Sequence, residues 1–386
     1  MASRRICTQL KSFHELIFLY TCFYAPISIK INFVKHDSLQ RSLIFALYNM
    51  QTDTEEMQFT TRATLPTGEM AISHSSRMIL AGSCFAGNIG NRLQEMKFHV
   101  ESNPFGIQYN PLSIAAVLKR CAGGEPFDDS SPELFEHNGM WHSIMHHSDF
   151  SRDSKSELIE SINSSLSRAH KMARSCDIAI ITFGTAYAYS RKSDGLTVGN
   201  CHKLPAKEFD RRLLGIEEII EATSEVIHIY RKLNKDVKFL FTVSPIRHLR
   251  DGAHDNQKSK ATLLLAIDGI MARHEGCHYF PAYEIVLDEL RDYRFYADDM
   301  VHPSSKAIEY IWECFSECYF DKDVRRLNAS IEEIARGMAH RPFNAVSEGY
   351  RAFVGTLLQK MEKLGKEHPY LNFEKERRQC NILLDR

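Results

Sequence analysis

From Arg77 onward the chain alternates short apolar runs with stretches whose apolar residues recur every three or four positions. The first pattern predicts strands and the second amphipathic helices. Met78-Ile79-Leu80-Ala81 predicts a buried strand ending in Gly82-Ser83-Cys84-Phe85-Ala86-Gly87, after which Ile89, Leu93 and Met96 share a helix face. Phe98 to Glu101 predicts a second strand that runs into Asn103-Pro104-Phe105-Gly106. Pro111 opens a helix, where its missing N–H costs nothing. Residues 133–150, with Trp141, His137, His142, His146 and His147, read as an irregular hairpin, and Leu158, Ile162, Leu166 and Ala169 mark a long helix. Ile178 to Phe183, apolar and rich in β-branched residues, is the clearest central strand. It ends at Gly184-Thr185, before a hairpin turning at Asp194-Gly195. A helix near 214–233, a strand at Phe239 to Val243, a helix near 258–273, a short strand at Tyr279-Phe280 and a helix over 304–320 complete the alternation.

This alternation predicts an α/β fold with a parallel sheet and helices on both faces. In such sheets active groups collect at the carboxyl ends of the strands, here Gly-Ser-Cys and Gly-Thr. Beyond about residue 325 the chain is charged and helical, broken by Pro342 and Pro369. The stripes Ile331, Ile334, Ala335, Met338 and Tyr350, Phe353, Leu357, Leu358, Met361 predict a helical extension capping the core. The expected organisation is therefore an N-terminal extension over 1–56, a catalytic domain over 57–324 and a helical extension over 325–386. Residues 1–56 look foreign to the rest. Arg4, Arg5 and Lys11 precede a mixed apolar stretch, Leu16 to Ile27, that loosely imitates a signal peptide. The preferred reading is translation starting at Met57, ahead of a signal or anchor and of a folded element.

Composition narrows the class. A net charge of −1 with no basic stripe gives no reason to expect nucleic acid as a partner. Ten cysteines lie scattered without a CxxC pair, as expected of reduced thiols in a cytoplasmic protein, with export the alternative if residues 1–56 act as a signal. Stable membrane insertion is not expected.

Chemistry concentrates in a few places. A side chain at the start of the helix after Gly82 faces unpaired backbone N–H groups, which favour an anion. Ser83 or Cys84 could serve there as nucleophile; the blander alternative is a helix cap and a buried thiol. In Asp298-Asp299-Met300-Val301-His302-Pro303, Asp299 can bind the Nδ1–H of His302 and leave Nε2 free as a base. Taken alone, such a loop more often simply caps the next helix. Gly184 and Thr185, with Asn103 and Gly106, are candidate oxyanion donors. Asn200, His202 and Lys203, and Arg247 and His248, are candidate binders of an anionic or sugar substrate, with surface salt bridges equally in view. His142, His146 and His147 have tempting spacings but lack the paired pattern of structural zinc, so neither metal nor cofactor is expected.

Together these motifs resemble one family. Gly82-Ser83-Cys84-Phe85-Ala86 spells the signature of the GSCFA family, a mostly bacterial group placed in the SGNH (GDSL-like) hydrolase superfamily. Asn103 to Gly106, Thr182 to Ala186, Asn200 to Pro205, Thr242 to His248 and Arg291 to Pro303 also look like that family. The resemblance covers roughly Met57 to the C-terminus. It implies a three-layer α/β/α flavodoxin-like fold, and ester hydrolysis or O-acyl transfer through a covalent acyl-enzyme. The superfamily's Gly-Asp-Ser aligns with Gly82-Ser83-Cys84, so Cys84 stands where the nucleophilic serine belongs. Its second-block glycine aligns with Gly106, and its Asp-x-x-His with Asp299 to His302. Its Gly-x-Asn aligns with Gly184-Thr185-Ala186, where alanine replaces the oxyanion-hole asparagine. The implied substrate is a small-molecule or carbohydrate ester. A non-catalytic binding module on a decayed hydrolase fold is the alternative. The acyl group, the choice between hydrolysis and transfer and the oligomeric state are not legible in the sequence.

Overall fold

The computed structural model describes residues 60–68, 70–344 and 347–384, and Thr60–Arg386 forms one compact unit. The readings of residues 1–56 therefore lie outside the described residues.

The centre is a parallel sheet of β1 (Arg77–Gly82), β2 (His99–Ser102), β5 (Ile178–Phe183), β8 (Lys238–Val243) and β9 (Cys277–Tyr279), in the order β2-β1-β5-β8-β9. Counted within the sheet, this is the flavodoxin-like order 2-1-3-4-5. Two small antiparallel ribbons sit outside it: β3 (Leu134–His137) with β4 (Met140–Ser143), and β6 (Tyr187–Arg191) with β7 (Phe209–Leu213).

Because β1 and β5 are buried on both faces, they read as continuous apolar runs, and alternate residues enter different cores. Ile79, Ala81, Ala179 and Ile181 face the core formed with α2 (Pro111–Gly123), α3 (Lys155–Ala173), α4 (Ile216–Leu233) and α5 (Gly252–Arg273). Met78, Leu80, Ile178 and Ile180 face the core formed with α1 (Cys84–Glu95) and α6 (Ser305–Tyr319). The outcome is three layers, α/β/α. The extension, α7 (Lys322–Ala339), α8 (Glu348–Glu367) and α9 (Glu374–Leu384), joins this second core through Ile331, Ile334, Val354, Leu357, Met361 and Cys380.

Three expectations need adjustment. The fifth helix begins at Gly252 rather than near 258, because its polar first turns belong to the helix. The turn at Asp194-Gly195 exists, with Gly195 at φ 76° and Ser190 bridging Thr197, yet the strand partner of β6 is β7, some twenty residues on. Helix α7 starts at Lys322, so a boundary at 324/325 falls inside its first turn, and Ala335 is exposed rather than part of the buried stripe.

Candidate active site

Strand order reverses between β1 and β5, and ligands of such sheets bind at that switch point, beyond the strands' carboxyl ends. Gly82 stands there at φ 148°, and a Cβ on it would lie 2.2 Å from the Thr182 carbonyl oxygen of β5. Only glycine lets the two strands run this close while the chain turns into α1. Ser83 is the N-cap of α1: it is buried, and its Oγ accepts from the Phe85 amide at 3.3 Å. Cys84 is the first residue of the helix, half-buried, with Sγ 3.7 Å from the Tyr109 hydroxyl. Burial and the neighbouring thiol raise Tyr109 well above the usual phenol range.

Asn103, at φ 46°, accepts from the Gly82 amide through Oδ1 at 2.9 Å, and Gly87 leaves room beside its Nδ2. The Asn103 side chain thus lies against the nucleophile turn. The remaining oxyanion candidates are engaged elsewhere. The Gly184 and Thr185 amides both donate to the Tyr109 carbonyl, at 2.8 and 3.0 Å, and the Gly106 amide donates to Asn103 O at 2.7 Å. The Thr185 hydroxyl meets Ser259 Oγ at 3.0 Å. These bonds hold the rim together. Ser259 also receives the Ala186 amide at 2.7 Å.

The Asp-x-x-His loop folds as the spacing predicts. Asp299 Oδ2 lies 2.6 Å from His302 Nδ1, and Oδ1 accepts from the Val301 and His302 amides at 2.9 and 3.0 Å. These amide bonds, then the ring, hold the Asp299 carboxyl down to about 2, so it is ionised at neutral pH. A depressed carboxylate contributes its stabilisation above its unfolded value and loses it as pH falls through about 2. Met300 takes the left-handed conformation that this tight loop demands. His302 remains 47% exposed. The Ala297 amide donates to His302 O, and Tyr296 bridges Pro303, so a small hairpin carries the histidine.

The loop after β8 joins the two halves. The Arg247 amide donates to Val301 O at 3.4 Å, and the His248 amide donates to Asn256 Oδ1 at 2.9 Å. The His248 ring packs edge-on against Tyr109 with centroids 5.6 Å apart, and it feels the charge of His302. Burial, then Lys260, lowers His248 to about 4, so it is neutral at pH 7. Cys84 and His302 therefore share one end of the sheet, connected through Tyr109 and His248. No direct hydrogen bond joins them among the described residues.

Asn200 and His202 are tied to each other and to the end of the β3–β4 hairpin. Asn200 Oδ1 accepts from the His202 amide at 2.8 Å. The buried His202 ring contacts Ser143 O and His146 O through Nε2 at 2.8 and 3.1 Å, pinning the β3–β4 hairpin. These bonds hold the hairpin in place. Lys203 is exposed. His146 stacks on Phe105 at 4.0 Å, and full burial drives it down to about 3; it is core.

Two functional residues escape sequence reasoning. Tyr109 is one polar residue between the Asn103 loop and a helix cap. Lys260 is fully buried, with Nζ donating to Gly184 O and Ser244 O at 2.7 Å each, tying the ends of β5 and β8 together. Burial alone drags this amine to about 7. A signal for Lys260 does exist: Asn256, Ser259 and Lys260 precede Leu263 on the inward stripe of α5, polar residues where helical spacing calls for apolar ones.

The GSCFA family model matches residues 77–315, and the model described as "GSCFA domain protein, C-terminal domain" matches residues 331–386. The chain belongs to the GSCFA family. No curated protein matches it. Among solved structures, this GSCFA chain is similar to an acetyl xylan esterase from the rumen bacterium Butyrivibrio proteoclasticus. Identity is 11% and the TM-score 0.33, over 67% of this chain and 65% of that one, just under two thirds of that protein. It is also similar to a carbohydrate esterase family 2 enzyme with a carbohydrate-binding domain from Corynascus thermopiles (Myceliophthora fergusii). There identity is 12% and the TM-score 0.32, over 69% of each chain. Likeness this distant does not say what the GSCFA chain acts on. Among its described residues no helix is long and apolar enough to cross a membrane.

Proposed function

We propose that this GSCFA chain is an SGNH-type acyl hydrolase or O-acyltransferase that works through a thioester on Cys84, with a carbohydrate ester as its substrate class. The observation that carries the reading is the oriented Asp299–His302 pair, 2.6 Å apart, on the same sheet end as a half-buried thiol at the first turn of α1. In the reaction Cys84 Sγ attacks the ester carbonyl carbon while His302 Nε2 takes the thiol proton. The oxyanion rests on the Cys84 amide and Asn103 Nδ2, neither of which has an acceptor among the described residues. As the C–O bond breaks, His302 returns the proton to the leaving alkoxide. Water, or an acceptor hydroxyl, then attacks the thioester with His302 again as base, regenerating the thiol. The carbohydrate part of the reading rests on superfamily analogy. Ala186, in place of the superfamily's asparagine, favours a second reading, a binding module on the same fold.

Hydrolysis of p-nitrophenyl acetate and of O-acetylated saccharides tests the proposal. His302→Ala is expected to lower kcat by at least about a hundredfold, the scale of lost general acid–base catalysis, while the protein stays folded. Undiminished turnover in His302→Ala, or no ester cleavage by the wild type, would refute it.

A further inference from the structure

Arg247, in the loop after β8, is bonded to the hairpin that carries His302. Its amide donates to Val301 O, and its guanidinium lies over the Tyr296 ring at 4.0 Å and the Tyr293 ring at 5.2 Å. The two tyrosine rings sit 5.9 Å apart, and Tyr293 is 64% exposed. The groups that act most strongly on the guanidinium are these two tyrosines. Arg211, on β7, provides the contrast: it too stacks on a tyrosine, Tyr187 at 3.9 Å, but its charge is matched by Asp251. Asp299, two residues from Val301, already binds His302 through both carboxylate oxygens.

A guanidinium resting on aromatic rings keeps its in-plane N–H fork open and loses little freedom when it pairs with a carboxylate or phosphate. Here the fork belongs to a residue whose own backbone is hydrogen-bonded to the residue before the base. We infer that Arg247, on its tyrosine pedestal, is an anion subsite, and that the preferred substrate is an ester bearing a negatively charged group close to the scissile bond. This rests on the reading of Cys84 and His302 as an acyl-transfer site and gives that site a substrate class. The charge can sit on the acyl side or on the alcohol side.

Matched esters test it. p-Nitrophenyl hydrogen succinate carries the carboxylate on the acyl side, and 4-acetoxybenzoate carries it on the alcohol side; p-nitrophenyl butyrate and p-nitrophenyl acetate are the neutral partners. The wild type is expected to favour one of the anionic esters over its partner by at least about tenfold in kcat/KM, the value of one charge-assisted hydrogen bond. Arg247→Met should remove that preference, and Arg247→Lys, which keeps the charge but not the fork, should restore part of it. The side of the ester on which the preference appears identifies where the anion sits. Equal handling of anionic and neutral esters by the wild type, or a preference that survives in Arg247→Met, would overturn the anion subsite alone. Cleavage of none of the four esters would overturn the acyl-transfer reading and this inference with it.

Discussion

At the start of α1, Ser83 commits its hydroxyl to the Phe85 amide while Cys84 turns Sγ toward Tyr109. The two adjacent residues thus differ in what remains available for chemistry. Ser83→Ala is expected to cost about 1 kcal/mol in urea unfolding, the usual loss of a helix cap. Its kcat/KM should fall less than that of Cys84→Ala. A Ser83→Ala protein as stable as the wild type but catalytically dead would reverse the two roles. Residue identity carried this much into the sequence reading: Gly82, Ser83, Cys84, Asp299 and His302 stand where local rules put them. For Gly184, Thr185 and Gly106 the sequence is silent on bonding, because a free amide and an amide bonded to a distant carbonyl look alike in it. Their acceptors, Tyr109 O and Asn103 O, depend on how loops meet.

Elements were easier to read than contacts between them. Strands buried on both faces and helices with one apolar stripe carry their period in the sequence, so all five strands of the sheet were legible to within a residue or two. Strand β7 was not. It is polar outward, Asp210-Arg211-Arg212, and exists because β6 offers it an edge. The extension was legible as helices capping the core, but not which residues of α7 and α8 meet, since that is decided by fit. A Cβ at Gly337 would lie 2.6 Å from Leu357, so α7 and α8 meet at that point, with Leu357 buried in the second core. Leu357→Ala is expected to destabilise the protein by about 2–5 kcal/mol, the range for a buried leucine. If α8 belongs to one cooperative unit with the sheet, loss of esterase activity in urea should shift by the same amount as loss of helix signal. An activity midpoint that stays put while helix content falls would show that α8 unfolds by itself.

Across the whole molecule the thiols are not equivalent. Of the eight described cysteines, all free, burial pushes seven up: Cys121, Cys176, Cys201, Cys277, Cys314, Cys318 and Cys380. A raised thiol is mostly protonated at neutral pH and a poor nucleophile. Cys84 differs in position, at a helix N-terminus facing the carboxyl ends of the sheet. Proximity of distant segments is what sequence conveys least: nothing local ties Tyr109, His248 and Lys260 to Cys84, and the three meet because β1, β5 and β8 end side by side. The most direct test of the central claim is to quench the protein in acid during turnover of p-nitrophenyl acetate and locate the acyl group by peptide mass mapping. A single acetyl group on Cys84 as a thioester, released by hydroxylamine and absent from Cys84→Ala, is the expected result. An acetyl group on Ser83, or turnover that persists in Cys84→Ala, would contradict the account.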